Sequence, residues 1–95
     1  MSDIAELQAG IAAWADQVVP NRTPHSTIAK LLEEIGELIA SERMQDPMEL
    51  ADIAILVLDL FHIQGVDLAE AVKAKMLINT ERTWTVADNH AARHV

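Results

Sequence analysis

The stretch "LLEEIGEL", residues 31–38, sets Glu33, Glu34 and Glu37 into an otherwise apolar run. A little further on, "MELADIAI" places Glu49 and Asp52 three residues apart. Carboxylates in such groups hold hard divalent cations or take protons, and an all-oxygen set without thiolates selects Mg²⁺, Mn²⁺ or Ca²⁺ over zinc or copper. A third constellation is cationic: Lys75, Asn79 and Arg82 recur at i, i+4 and i+7, within about 60° on a helix. Two cations and an amide in line can hold phosphate oxygens.

Each pattern also has a plainer explanation. On one helix, Ile28, Leu31, Leu32, Ile35, Leu38 and Ile39 gather opposite Glu33, Glu34 and Glu37, as in any amphipathic segment. Glu49 stands three residues after Asp46 and could complete a capping box. Lys and Arg are favoured near helix C-termini in any case. The segment from Leu50 to Phe61 tips the balance. Its only charges are Asp52 and Asp59, and its apolar residues point all round the axis, which predicts an interior or interface helix. Buried carboxylates need cations. Seven Lys and Arg face fifteen Asp and Glu, so a divalent metal is the economical partner.

The elements that must position these groups are four helices. Helix one is expected from about Ser2 to Gln17, with Ile4, Leu7, Ile11 and Trp14 at core spacing. Pro20 and Pro24 break the chain, and helix two runs from Pro24 or Ser26 to Arg43. Asp46 and Pro47 open helix three, which stops near Gly65. Asp67 caps helix four, with Glu70 as its box partner, and that helix continues to about Arg82. Residues 83–95 show no periodicity and are expected to be irregular. Short connections favour an antiparallel all-α bundle in a single domain spanning 1–95. A chain this short buries only a modest core, which makes oligomerisation a source of stability.

The net charge of −8 excludes a basic nucleic-acid surface and would repel a bare polyphosphate, so an anionic ligand needs an intervening cation. Without cysteine there is no disulfide scaffold and no thiol nucleophile. No apolar run is long enough to span a membrane, and the N-terminus lacks the features of a secretory signal; the expectation is a cytoplasmic protein. His90 and His94 could ligate a metal only if the tail were helical. Asp59 and His62 form a single carboxylate-x-x-His pair, half of what a di-iron bundle requires. His25 lies just before helix two, near enough to its N-terminus to approach a ligand.

Glu33-Glu34-x-x-Glu37 followed by Glu49-x-x-Asp52 resembles the EExxE…ExxD pattern of the MazG-like nucleotide pyrophosphohydrolases. "KLLEEIGEL", "ELADIAILVLDL" and "AVKAKMLINTERTW" resemble that family's segments in its order, over roughly residues 4 to 84. The resemblance implies a compact four-helix, oligomeric fold of the phage and bacterial type. It also implies hydrolysis of a (deoxy)nucleoside triphosphate to monophosphate and pyrophosphate, dependent on Mg²⁺ or Mn²⁺. By motif position, Glu34, Glu37, Glu49 and Asp52 are the implied metal ligands and Glu33 an accessory carboxylate; Glu33 or Glu37 would act as base. Lys75, Asn79 and Arg82 are the implied phosphate contacts, with Lys75 also stabilising the leaving group. Trp84 and His25 complete the expected substrate-binding set. A purine nucleotide, (d)GTP first, is the expected substrate, and a homodimer or homotetramer the expected assembly. Two alternatives stand beside this: a non-catalytic helical oligomerisation module holding a structural divalent cation, and a phosphoribosyl-ATP pyrophosphatase-like enzyme.

Overall fold

A computed structural model describes residues 3–41, 47–82, 84–86 and 92–94. It contains helices α1 (Asp3–Val18), α2 (Pro24–Ala40), α3 (Pro47–Ile63) and α4 (Leu68–Glu81), then strands β1 (Trp84–Val86) and β2 (Ala92–His94). The expected helices are all present, with boundaries shifted by one to three residues. The expectation of an irregular tail is corrected: β1 and β2 pair antiparallel, Trp84 opposite His94 and Val86 opposite Ala92. His94 is therefore in a strand, which removes the helical spacing that a His90–His94 metal pair needed; His90 lies outside the described residues.

Local chemistry explains where the helices start and stop. Thr23 caps α2 in extended conformation, its hydroxyl accepting from the Ser26 amide at 3.1 Å. The Ser26 hydroxyl in turn accepts from the Thr23 amide at 2.8 Å, and Pro24 fills the first helical position, where no N–H is required. At the end of α3 the Val66 amide returns to the Phe61 carbonyl and Gly65 to His62, both at 2.9 Å. This closure needs a left-handed residue, supplied by Gly65 at φ 73°. Asp67 then caps α4 by accepting from the Glu70 amide at 3.0 Å. Asp46, the expected cap of α3, lies outside the described residues.

Helix α3 is the centre of the fold, packed on both α1 and α2, while α4 leans on α1 and α3 and makes no contact with α2. Small residues let the helices approach: Ala12 and Ala15 of α1 and Ala69 of α4 are buried, together with Leu58 of α3. Gln8 is buried among them and ties α1 to the α3–α4 turn. Its Nε2 donates to the Val66 carbonyl at 2.9 Å, and its Oε1 accepts from the Leu68 amide at 3.1 Å. Gln8→Leu would leave both backbone groups without these partners; the expected loss is about 1–3 kcal/mol, read by urea denaturation.

The core is thin. The radius of gyration is 15.5 Å, against about 12 Å for a compact domain of this length. Leu7, Trp14, Leu32, Ile39 and Leu77 are each more than half exposed. Trp14 was expected in the core by its spacing; it stands 57 % exposed because Ala12 and Ala15 occupy the contact face of α1. Helix α3 is likewise not interior all round, since only Leu58 and Asp59 are buried along it.

Candidate active site

Helices α2 and α3 bring the two acidic motifs together. One carboxylate oxygen from each of Glu34, Glu49 and Asp52 lies within 4.8 Å of the others. Opposite oxygens on one Mg²⁺ stand about 4 Å apart, so small side-chain adjustments would close this group on an ion. The donor set is all-oxygen and strongly anionic, which fits Mg²⁺ or Mn²⁺. Asp52 is exposed, and its place in the cluster comes from helix register rather than from enforced desolvation. Asp59 is buried, but its cation is Arg22, which donates from Nε to Oδ2 at 2.6 Å and from Nη2 to Oδ1 at 2.8 Å.

Glu37, one turn beyond Glu34, stands outside the group of three. It is exposed, and its carboxyl is held above the usual range first by the charge of Glu34, then by partial desolvation and by Glu33. Lys30, one turn before Glu34, reaches Glu34 at 3.4 Å and Glu33 at 3.5 Å. Those two charges raise the Lys30 ammonium above its ordinary value, that of Glu33 foremost. Glu33 itself is solvated, whereas the Glu34 side chain is only 13 % exposed. A carboxyl raised in the folded state favours folding below its unfolded value, near 4.5, and that contribution disappears as pH climbs through the folded value. Repulsion from Glu34 on the Glu37 carboxylate therefore opposes folding at neutral pH. Excess Mn²⁺ should raise the melting temperature at pH 7 over that in EDTA, by about 10 °C at a hundredfold excess over Kd. Thermal melts should show the gain vanishing below pH 4.5.

Next to Lys30 a cavity of about 340 Å³ opens between α1, α2 and α3. The expected phosphate contacts lie on α4 and its C-cap, and α4 packs on α1 and α3. Lys75 is exposed on α4, Asn79 and Arg82 are half-buried there, and α4 does not touch α2. His25 sits exposed in the first turn of α2, nine residues and about 13.5 Å along the axis from Glu34. Trp84 opens β1, after the Arg82 cap of α4.

A family model described as dATP/dGTP pyrophosphohydrolase matches residues 7–95. The chain belongs to this family. A dATP/dGTP diphosphohydrolase of Cyanophage S-2L is 60 % identical over 92 residues, covering 97 % of this chain and 88 % of the relative. Another dATP/dGTP diphosphohydrolase, of Salmonella phage PMBT28, is 41 % identical over 92 residues, which make up 31 % of its own length. Among solved structures, a Cyanophage S-2L MazG-like pyrophosphohydrolase bound to dGDP and three catalytic Mn²⁺ ions per active site superposes with a TM-score of 0.90. It is 57 % identical, and the match covers 100 % of this chain and 99 % of that one.

The chain is thus a pyrophosphohydrolase with the MazG-like helical fold, and the non-catalytic module and the phosphoribosyl-ATP reading give way. No helix among its described residues is long and apolar enough to cross a membrane. Sequence reasoning missed three features beside the cluster of this dATP/dGTP pyrophosphohydrolase family member. These are the Arg22–Asp59 pair, the hold of Lys30 on Glu34, and the cavity. Asp59 gave a signal, since a charge in an apolar helix demands a partner, but nothing local pointed to Arg22 thirty-seven residues away.

Proposed function

We propose that this protein hydrolyses purine deoxynucleoside triphosphates, dGTP foremost, to the monophosphate and pyrophosphate, with Mg²⁺ or Mn²⁺ as cofactor. The observation that carries this is the convergence of Glu34, Glu49 and Asp52 from two helices. The cyanophage neighbour's dGDP and Mn²⁺ ions support the choice of ligand. Glu34, Glu49 and Asp52 would hold the metal, with Glu37 joining from the next turn. When bound, the metal neutralises the phosphates and makes water a stronger acid.

The remaining work falls to side chains. Glu37 or Glu33 takes the proton of the attacking water on a carboxylate oxygen; the charge of Glu34 raises the Glu37 carboxyl, which suits it to that task. Lys75 and Arg82 stabilise the charge that develops on pyrophosphate, and Asn79 orients a phosphate oxygen. The separation of α4 from α2 supports a second copy of the chain as the source of these three residues. The exposed apolar faces of α1, α2 and α4 then become the interface of a homodimer or homotetramer.

A panel of dNTPs and NTPs with Mn²⁺, Mg²⁺ or EDTA tests the activity, with monophosphate and pyrophosphate measured. Purine deoxynucleotides should turn over only with metal; a folded protein that releases no pyrophosphate from any nucleotide overturns the proposal. The shared site has its own test. Glu34→Gln and Lys75→Ala, each inactive, should on mixing and subunit exchange regain about a quarter of wild-type activity, since half the dimers are mixed and each holds one intact site. No recovery despite proven exchange would place both residues in one subunit.

A further inference from the structure

The cavity between α1, α2 and α3 is built differently from the carboxylate cluster beside it. Its walls are apolar, chiefly Ile11, Trp14, Ile55 and Leu56, yet Arg22 and Asp59 also line it. Asp59 is 4 % exposed, and each of its oxygens accepts one bond from Arg22. An ionised carboxylate offers about four lone-pair sites, so each oxygen retains capacity for one more donor. Apolar faces with acceptors at one end suit a flat heterocycle carrying N–H groups. An aliphatic chain or an apolar helix would cover the ion pair without using it. The volume, about 340 Å³, is that of a small-ligand pocket, for which the usual range is about 300–1,000 Å³.

The cavity also shares a side chain with the cluster. Lys30 lines it while its ammonium lies 3.4 Å from Glu34. On α3, Ile55 and Leu56 lie between Asp52 of the cluster and Asp59 of the cavity, a separation of seven residues or about 10.5 Å. That spacing lets phosphates at the cluster and a base in the cavity belong to one nucleotide.

We propose that this cavity is the nucleoside pocket, with Trp14 covering the base and Asp59, held in place by Arg22, accepting hydrogen bonds from the base's N–H edge. The proposal rests on reading Glu34, Glu49 and Asp52 as the phosphate end. It also orders the purines. Guanine offers N1–H and its 2-amino group side by side, one donor for each Asp59 oxygen, whereas adenine offers only its 6-amino group on that edge. Hypoxanthine keeps N1–H and lacks the 2-amino donor.

Calorimetry in Mn²⁺ with dGDP, dIDP and inorganic pyrophosphate tests this on wild type, Trp14→Ala and Trp14→Phe. Trp14→Ala should weaken dGDP tenfold or more and leave pyrophosphate unchanged, with Trp14→Phe recovering most of the loss. On wild type, dIDP should bind about tenfold more weakly than dGDP. Equal losses for dGDP and pyrophosphate, or none for either, would overturn the pocket; equal affinity for dIDP and dGDP would remove Asp59 from base recognition. A wild type that hydrolyses dNTPs while Trp14→Ala binds dGDP normally strikes this inference alone. A wild type that releases no pyrophosphate from any dNTP strikes the proposed function, and the pocket with it.

Discussion

Glu34→Gln should lower pyrophosphate release from dGTP about a thousandfold or more, because a lost metal charge removes several kcal/mol of transition-state stabilisation. Glu34 is the hinge of the acidic group: it meets Glu49 and Asp52, is held by Lys30, and repels Glu37. The same change should leave helical content intact and should not lower the melting temperature in EDTA. Removing one of several like charges relieves the repulsion that holds the Glu37 carboxyl high. Activity and metal-free stability therefore move in opposite or independent directions, which separates a ligand from a structural residue. Glu37→Gln should also abolish turnover with the fold preserved. Glu33→Gln should cost only a few-fold, since Glu33 is solvated and faces Lys30. Turnover of Glu34→Gln within tenfold of wild type would remove the residue from the site.

Arg22→Ala carries the largest expected effect on stability. The Arg22 and Asp59 side chains are 9 % and 6 % exposed, and their two short hydrogen bonds fix the α1–α2 connection to α3. Asp59 holds the guanidinium charge well above its ordinary pKa by hydrogen bonding, against a desolvation penalty. Truncating Arg22 strands a buried carboxylate, which costs about 3–5 kcal/mol and lowers the melting temperature by at least about 12 °C. Replacing both partners together, Arg22→Met with Asp59→Leu, should recover most of that loss, because no uncompensated charge remains. Asp16, the third member, is 64 % exposed, and Asp16→Asn should cost no more than about 1 kcal/mol. Thermal melts of these three variants against wild type decide the matter. A single Arg22→Ala variant as stable as wild type would show that the pair does not anchor the connection.

The helices were legible because their signals are local. Pro24, Gly65 and Asp67 announce starts and stops within a few residues of sequence, although the Thr23 cap itself went unnoticed. The resemblance to the EExxE…ExxD pattern implied Glu34, Glu37, Glu49 and Asp52 as ligands, of which Glu34, Glu49 and Asp52 converge, and Asp52 does so while exposed rather than buried. What stayed hidden depends on tertiary contact. Periodicity assigns Trp14 to the face of α1 that carries Ile4, Leu7 and Ile11, but Ala12 and Ala15 sit where the neighbouring helix approaches, so small size decided the packing. The partner of Asp59 lies in a connection rather than in a facing helix, where pattern reasoning does not look. The strands at Trp84–Val86 and Ala92–His94 are three residues each, too short for alternation to register.

The Arg22 anchor has a consequence for changes in chain length. Only residues 19–23 separate α1 from α2, and Arg22 within them is tied to α3 through Asp59 and to α1 through Asp16. The next residue, Thr23, caps α2 and sets the register that carries Lys30 and Glu34. An inserted residue or a peptide tag at this junction would pull the guanidinium off Asp59 or rotate α2 by about 100° per residue. Either outcome turns the acidic face away from Glu49 and Asp52. At this joint a change in residue count should therefore cost the site its geometry in addition to the Arg22–Asp59 pair.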